Sequence, residues 1–213
     1  MAACALGALV AGVVVGGLVH RISVRTLIGG GLATSALGIL LTLLLTPGAV
    51  PLLDSAQSSG WVVPGLILAG AGLGTTMTAA SAAIIGGAPP HRAGMASSVE
   101  EVSYELGSLT GVAVLGSVLT AVYTGTVTLP AGAPDTAADS LDEARATADH
   151  LPAEQGRPLL DAATSAFDNG YNTTLVIATA LLAAGSLFTY RYLGRAANSA
   201  NTSTAESSSA SVL

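Results

Sequence analysis

The chain has 213 residues, 51% of them hydrophobic and only 9% charged, with a mean hydropathy of +0.66. A soluble domain carries about 25% charged residues, so this chain cannot cover a water-facing surface. Its many Gly and Ala and few aromatics suit closely packed membrane helices. The net charge of −6 misleads as a whole-chain figure, because acids and bases sit in different places; there is no lysine, no nucleic-acid partner is expected, and the single cysteine, Cys4, excludes a disulfide framework. His20, His91 and His150 stand far apart, so no metal site is expected.

A membrane helix needs roughly 20 mostly apolar residues, and five stretches qualify: 2–19, 27–46, 61–85, 95–123 and 171–190. The expected fold is therefore an all-α integral membrane protein. The first stretch carries "GVVVG", a GxxxG pattern at Gly12 and Gly16 of the kind that lets membrane helices approach closely. It has no basic region before it and no cleavage site, as a signal peptide would. The expectation is a chain that lacks the helices that should precede it. "HRISVR" follows, with Arg21 and Arg25 four residues apart. They either anchor the topology or form a hinge loop, bonding helix-end carbonyls or acids on another helix.

The second loop, "PGAVPLLDSAQSSG", holds only Asp54. The third stretch contains "LAGAGLGTTMTA", whose Gly70, Gly72 and Gly74 read as packing positions. A nucleotide-binding fingerprint fails there for want of the final spacing, a strand and an acidic ribose partner. Met77 and its flanking threonines line either a cavity or ordinary core, methionine being adaptable to varied ligands. "GGAPPHR" then places Arg92 before the fourth stretch.

That fourth stretch begins "MASSVEEVSYELGSLTG". If its helix starts near Arg92, a rise of about 1.5 Å per residue puts Glu101 roughly 13 Å and Glu105 roughly 20 Å along it. Glu105 then approaches the middle of a hydrocarbon core about 30 Å thick. An ionised acid there costs about 2.5–3.5 kcal/mol, so it must face protein or a watery cavity. Glu101, Tyr104 and Glu105 lie on or beside one helical face, while Glu100 points about 100° away. One reading is a proton-titratable, cation-attracting cavity wall; the other starts the helix near Tyr104 and leaves the acids in a loop. Gly107 and Gly111, in "GSLTG", form a second GxxxG pattern.

Residues 124–170 hold eight acids against Arg145 and Arg157. Leu141, Ala144, Ala148 and Leu151 form one apolar stripe and Leu159, Leu160, Ala163 and Phe167 another, split by Pro152. The spacing predicts a short amphipathic helical hairpin, with an irregular acidic loop as the alternative. Asn172 formally matches a glycosylation acceptor but sits at a helix entrance. Residues 191–213 are rich in Ser, Ala and Thr and are expected to be disordered. Arg21, Arg25, Arg92, Arg191 and Arg195 all fall on one side of a five-span topology. The positive-inside rule makes that side cytoplasmic, with the N-terminus and the hairpin outside and the C-terminus inside.

Residues 72–123 resemble the penultimate-helix region of fourteen-helix drug/proton antiporters of the major facilitator superfamily. "APPHRAGMASS", "EVSYELG" and "GVAVLGS" carry the likeness. "GGLVHRISVR" is similar to the superfamily's inter-helix loop, with His20 where an acid is usual and Ser23 where a glycine is usual. The resemblance implies that the five spans are helices ten to fourteen of fourteen, a partial C-terminal bundle in the cell membrane with an extracellular hairpin. It also implies that Glu101 and Glu105 occupy acidic positions that help recognise cationic drugs. The resulting expectation is part of a proton-driven efflux transporter of small lipophilic cations, with no cofactor beyond the proton gradient. Such a part would be inactive without its missing N-terminal helices or another transporter chain. The alternative is a truncated membrane protein that only docks on a transporter. No nucleophile–base or metal constellation supports an enzyme.

Overall fold

The computed structural model describes residues 2–19, 21–45, 62–130 and 133–210, with side chains described within 2–19, 21–44, 63–130 and 133–192. His20, Trp61, the whole second loop with Asp54, and the Arg195 side chain lie outside the described residues. Helices account for nearly everything described: α1 (Ala2–Leu18), α2 (Val24–Leu45), α3 (Val62–Gly87), α4 (Ala93–Thr126), α5 (Leu141–Asp149) and α6 (Ala153–Ala210). Two single 3-10 turns, Pro90–Arg92 and Asp135–Ala138, precede α4 and α5.

Among the described residues, four helical stretches are long and apolar enough to cross a membrane: Val24–Leu44, Val63–Gly87, Pro90–Thr126 and Ala153–Tyr192. The five spans expected from sequence become four by this measure, because α1 has only 17 residues. At about 1.5 Å per residue it reaches roughly 26 Å, short of a core of about 30 Å. The fourth and last spans are longer than expected. α6 runs through Pro158 and Gly170 without a break, so the second arm of the hairpin and the last span belong to one helix. α6 also continues to Ala210, where the sequence reading expected a disordered tail. No proline or glycine follows Gly194 to end the helix.

The chain divides into two units, residues 1–101 with 179–213, and residues 102–178. In the first, α3 packs against both α1 and α2 through glycine. A Cβ on Gly70 or Gly74 would overlap the backbone of Cys4 or Ala8 on α1, and one on Gly7 would overlap Ile67 of α3. On the other side, Gly38 lies against Ala69, and Gly31 and Gly72 lie against each other. Removing Cβ lets backbones approach, the main source of helix attraction where lipid tails are as apolar as leucine. The packing role expected of Gly70, Gly72 and Gly74 is met.

The other GxxxG patterns behave differently. A Cβ on Gly12 would meet only the Thr78 hydroxyl, at 3.3 Å, and one on Gly16, Gly107 or Gly111 meets nothing within 4 Å. The seam of α1 runs instead through Gly7.

One buried hydrogen bond crosses the α2–α3 seam: Ser35 Oγ donates to the Ala69 carbonyl at 2.9 Å, and Ser35 is 0% exposed. Ser35→Ala is expected to cost about 1 kcal/mol, in line with single interhelical bonds in membranes. Reversible unfolding of the reconstituted chain checks this, and an unchanged midpoint would assign the seam to glycine packing alone.

In the second unit, α5 and the first turns of α6 pack as a helical pair. Ser140 caps α5, its hydroxyl accepting from the Glu143 N–H at 3.2 Å. Asp142 and Glu143 sit in the first turn, where acids complement the helix dipole. Pro152 separates α5 from α6. Tyr123, Ala137, Ala144, Ala148, Leu159, Ala163 and Ala166 form one buried cluster, with Leu141, Leu151, Leu160 and Phe167 packed on it. Both stripes read from the sequence therefore meet in one core, together with the end of α4.

Candidate functional site

The loop between α1 and α2 is built by local bonds. Ser23 precedes α2, its hydroxyl 2.8 Å from that of Thr26 and accepting weakly from the Thr26 N–H at 3.4 Å. Ser23 thus stands at the N-cap of α2, a position that favours a short hydroxyl side chain. Val15, Leu27 and Ala79 bury one another beneath this loop, fixing the start of α2 on α1 and α3.

Arg21 is exposed and Arg25 half-buried. Arg25 bonds neither a helix-end carbonyl nor an acid among the described residues. Its guanidinium lies over the Tyr190 ring of α6, 5.7 Å from the centroid. Such contacts contribute roughly 0.5–2 kcal/mol, more when desolvated. Arg25 Nε is buried without an acceptor. Tyr190 fits there because Gly29 has no side chain; a Cβ would come within 2.8 Å of the ring. Ser186 Oγ donates to the Gly29 carbonyl at 2.8 Å, a second tie between α2 and α6. The sequence offered no signal for this junction, since its members lie 157 residues apart. Arg92, in the turn before α4, is exposed.

The acids of α4 are placed differently from expectation. Glu100 is the buried one, 8% exposed, whereas Glu101 and Glu105 are exposed and Tyr104 is half-buried. Helical geometry turns successive residues by about 100°, so the two adjacent glutamates cannot share an environment, and the inward one is Glu100. Glu101 belongs to the first unit and Tyr104 and Glu105 to the second. Met77, on α3 in the first unit, is 51% exposed. The hydroxyls of Thr75 and Thr76 are taken up by the carbonyls four residues back, Ala71 and Gly72, so they present methyl groups more than donors. No group of three or more His, Cys, Asp or Glu among the described residues is placed to hold a metal ion.

Known proteins resemble the chain over most of its length. The multidrug efflux pump LfrA of Mycolicibacterium smegmatis is 37% identical over 186 residues, 85% of this chain and 35% of that protein. The methyl viologen resistance protein SmvA of Salmonella typhimurium is 33% identical over 179 residues, 80% of this chain and 34% of that protein. The multidrug resistance protein Stp of Mycobacterium tuberculosis is 30% identical over 205 residues, covering 90% and 36%. The chain thus spans about a third of the length of these curated relatives. No protein-family model matches it, and no solved structure does. With four span-length apolar helices, this homology makes it a multi-pass membrane protein related to drug efflux transporters.

Proposed function

We propose that the chain is the C-terminal part of a proton-coupled antiporter that expels lipophilic cations, of the fourteen-helix major facilitator type. The observation carrying this reading is the 37% identity to a multidrug efflux pump across 85% of the chain. The membrane holds α1 as a fifth, short span. The arginine-bearing loops face the cytoplasm, the hairpin of α5 and α6 lies outside, and the energy source is the proton gradient.

In this reading Glu101 and Glu105 belong to a cavity completed by helices beyond this chain. Exposed here, they are free to meet a cation, and the cost of an ionised acid in lipid confines them to a watery or protein-lined space. Two carboxylates four residues apart repel when both are ionised. A bound cation relieves that repulsion, and so does a proton, so one displaces the other. Alternating access requires two bundles to rock about a central site, and this chain supplies less than one.

The test grafts the chain in place of the matching third of LfrA and follows ethidium efflux from cells. The graft is expected to pump. Glu105→Gln in it should slow efflux about tenfold or more, the worth of one charged contact. The chain expressed alone should not pump. A membrane-inserted graft without efflux would favour a chain that only docks on transporters, and unaltered efflux in Glu105→Gln would remove that acid from the site.

A further inference from the structure

A groove of about 370 Å³ runs between α2 and α6 in the first unit. Ala33, Ala36, Leu37 and Leu40 line one wall, and Ala183 and Leu187 the other. Two polar side chains, Thr179 and Ser186, also line it; Ser186 spends its hydroxyl on the Gly29 carbonyl, so most of what the groove offers a ligand is hydrocarbon. The volume falls within the roughly 300–1,000 Å³ typical of ligand pockets. Ala33 to Leu40 spans about 10 Å of helix, so the groove runs along the membrane-spanning direction of α2.

Tyr190 also lines the groove, and over that ring sits Arg25. Arg25 has no carboxylate partner among the described residues, and its Nε is buried without an acceptor. A guanidinium carries five donors, and a half-buried one is costly unless an anion answers it. Arg191 follows Tyr190 directly and is exposed, as is Arg21 just before α2. The charge near Tyr190 argues against the cationic compounds that efflux pumps carry, since they would be repelled. An apolar slot beside an aromatic ring and an unanswered arginine matches an amphiphile with an anionic head.

We propose that this groove holds an acyl chain of an anionic phospholipid, with the headgroup phosphate bound by Arg25. The tie between α2 and α6 then has two layers. Ser186 and Gly29 join the helices directly, and the lipid fills the remaining gap while neutralising Arg25. Basic pockets between membrane helices recognise anionic headgroups by the same physics.

The proposal is tested on the full chain in nanodiscs, by competing phosphatidylglycerol against phosphatidylcholine and counting retained lipids by native mass spectrometry. Wild type is expected to retain phosphatidylglycerol about fivefold better. Arg25→Gln should abolish that preference and Arg25→Lys should keep most of it. Ala183→Leu, which fills the groove, should lower retention of both lipids. Inorganic phosphate at matched concentration should not displace the lipid, because it lacks the chain. Equal retention of the two lipids by wild type would overturn the proposal, as would a preference unchanged in Arg25→Gln or full displacement by phosphate. Ala183→Cys cross-linking efficiently to a second copy in the same nanodiscs would also overturn it, by giving the groove to protein.

Discussion

Gly72→Leu is expected to destroy the packing of α2 on α3, at a cost of about 4 kcal/mol or more. A Cβ at Gly72 falls on the Gly31 carbonyl oxygen and on the backbone nitrogen and hydroxyl of Ser35. Ordinary overpacking costs about 1–3 kcal/mol because side chains can give way. Here two of the three obstructing atoms are backbone, so α2 itself must move away. That movement also breaks the bond from Ser35 to Ala69 and separates Gly38 from Ala69, so the damage spreads along the seam. Effects of this size have few causes, and backbone collision in a close-packed interface is one. Gly86→Leu is the control, since a Cβ at Gly86 meets nothing within 4 Å and leucine is the better helix former. Denaturant unfolding of the reconstituted chain should separate the two variants widely. Equal stability would mean that α2 and α3 are held by something other than close approach.

How far the sequence reveals this arrangement depends on whether an interaction is local. The hairpin was legible because its stripes repeat at helical spacing and Pro152 divides them, and the two stripes meet in one core. The Gly70, Gly72 and Gly74 seam was legible because few roles other than packing suit three clustered glycines in an apolar helix. Gly16, Gly107 and Gly111 share the same local pattern, yet no neighbour comes near them. A GxxxG pattern marks a face that permits approach and does not name the partner that takes it up. The burial of Glu100 instead of Glu101 reflects a rotation of one residue about α4, which helical periodicity alone leaves undetermined. The contact of Arg25 with Tyr190 joins residues far apart in the chain and leaves no periodic trace. The use of serine at position 23 became intelligible only once its hydroxyl was seen at the start of α2.

Leu159→Ala is expected to loosen the hairpin while leaving the α1–α3 seam intact, because the two units are held together by different physics. In the seam, close backbone contact does the work and large side chains are peripheral. In the hairpin, the side chains carry the packing: Leu159 is 0% exposed and sits in one cluster with Tyr123 and Ala144. Tyr123 donates its hydroxyl to the Ala137 carbonyl at 3.3 Å, tying the end of α4 to the turn before α5. A capped helix with acids in its first turn and an apolar core beneath is held by its side chains, through the burial of apolar area. Truncating a buried leucine in such a core costs about 2–5 kcal/mol, because the cavity closes only partly. The loss should appear as local opening, with amides of α5 exchanging hydrogen about 30-fold faster or more. Leu181→Ala, at a position 60% exposed, should leave exchange in α5 unchanged. If Leu159→Ala left α5 equally protected, the hairpin would have to owe its order to the ends of α4 and α6 and not to its own core. If it unfolded the α1–α3 seam as well, the two units would be a single cooperative structure.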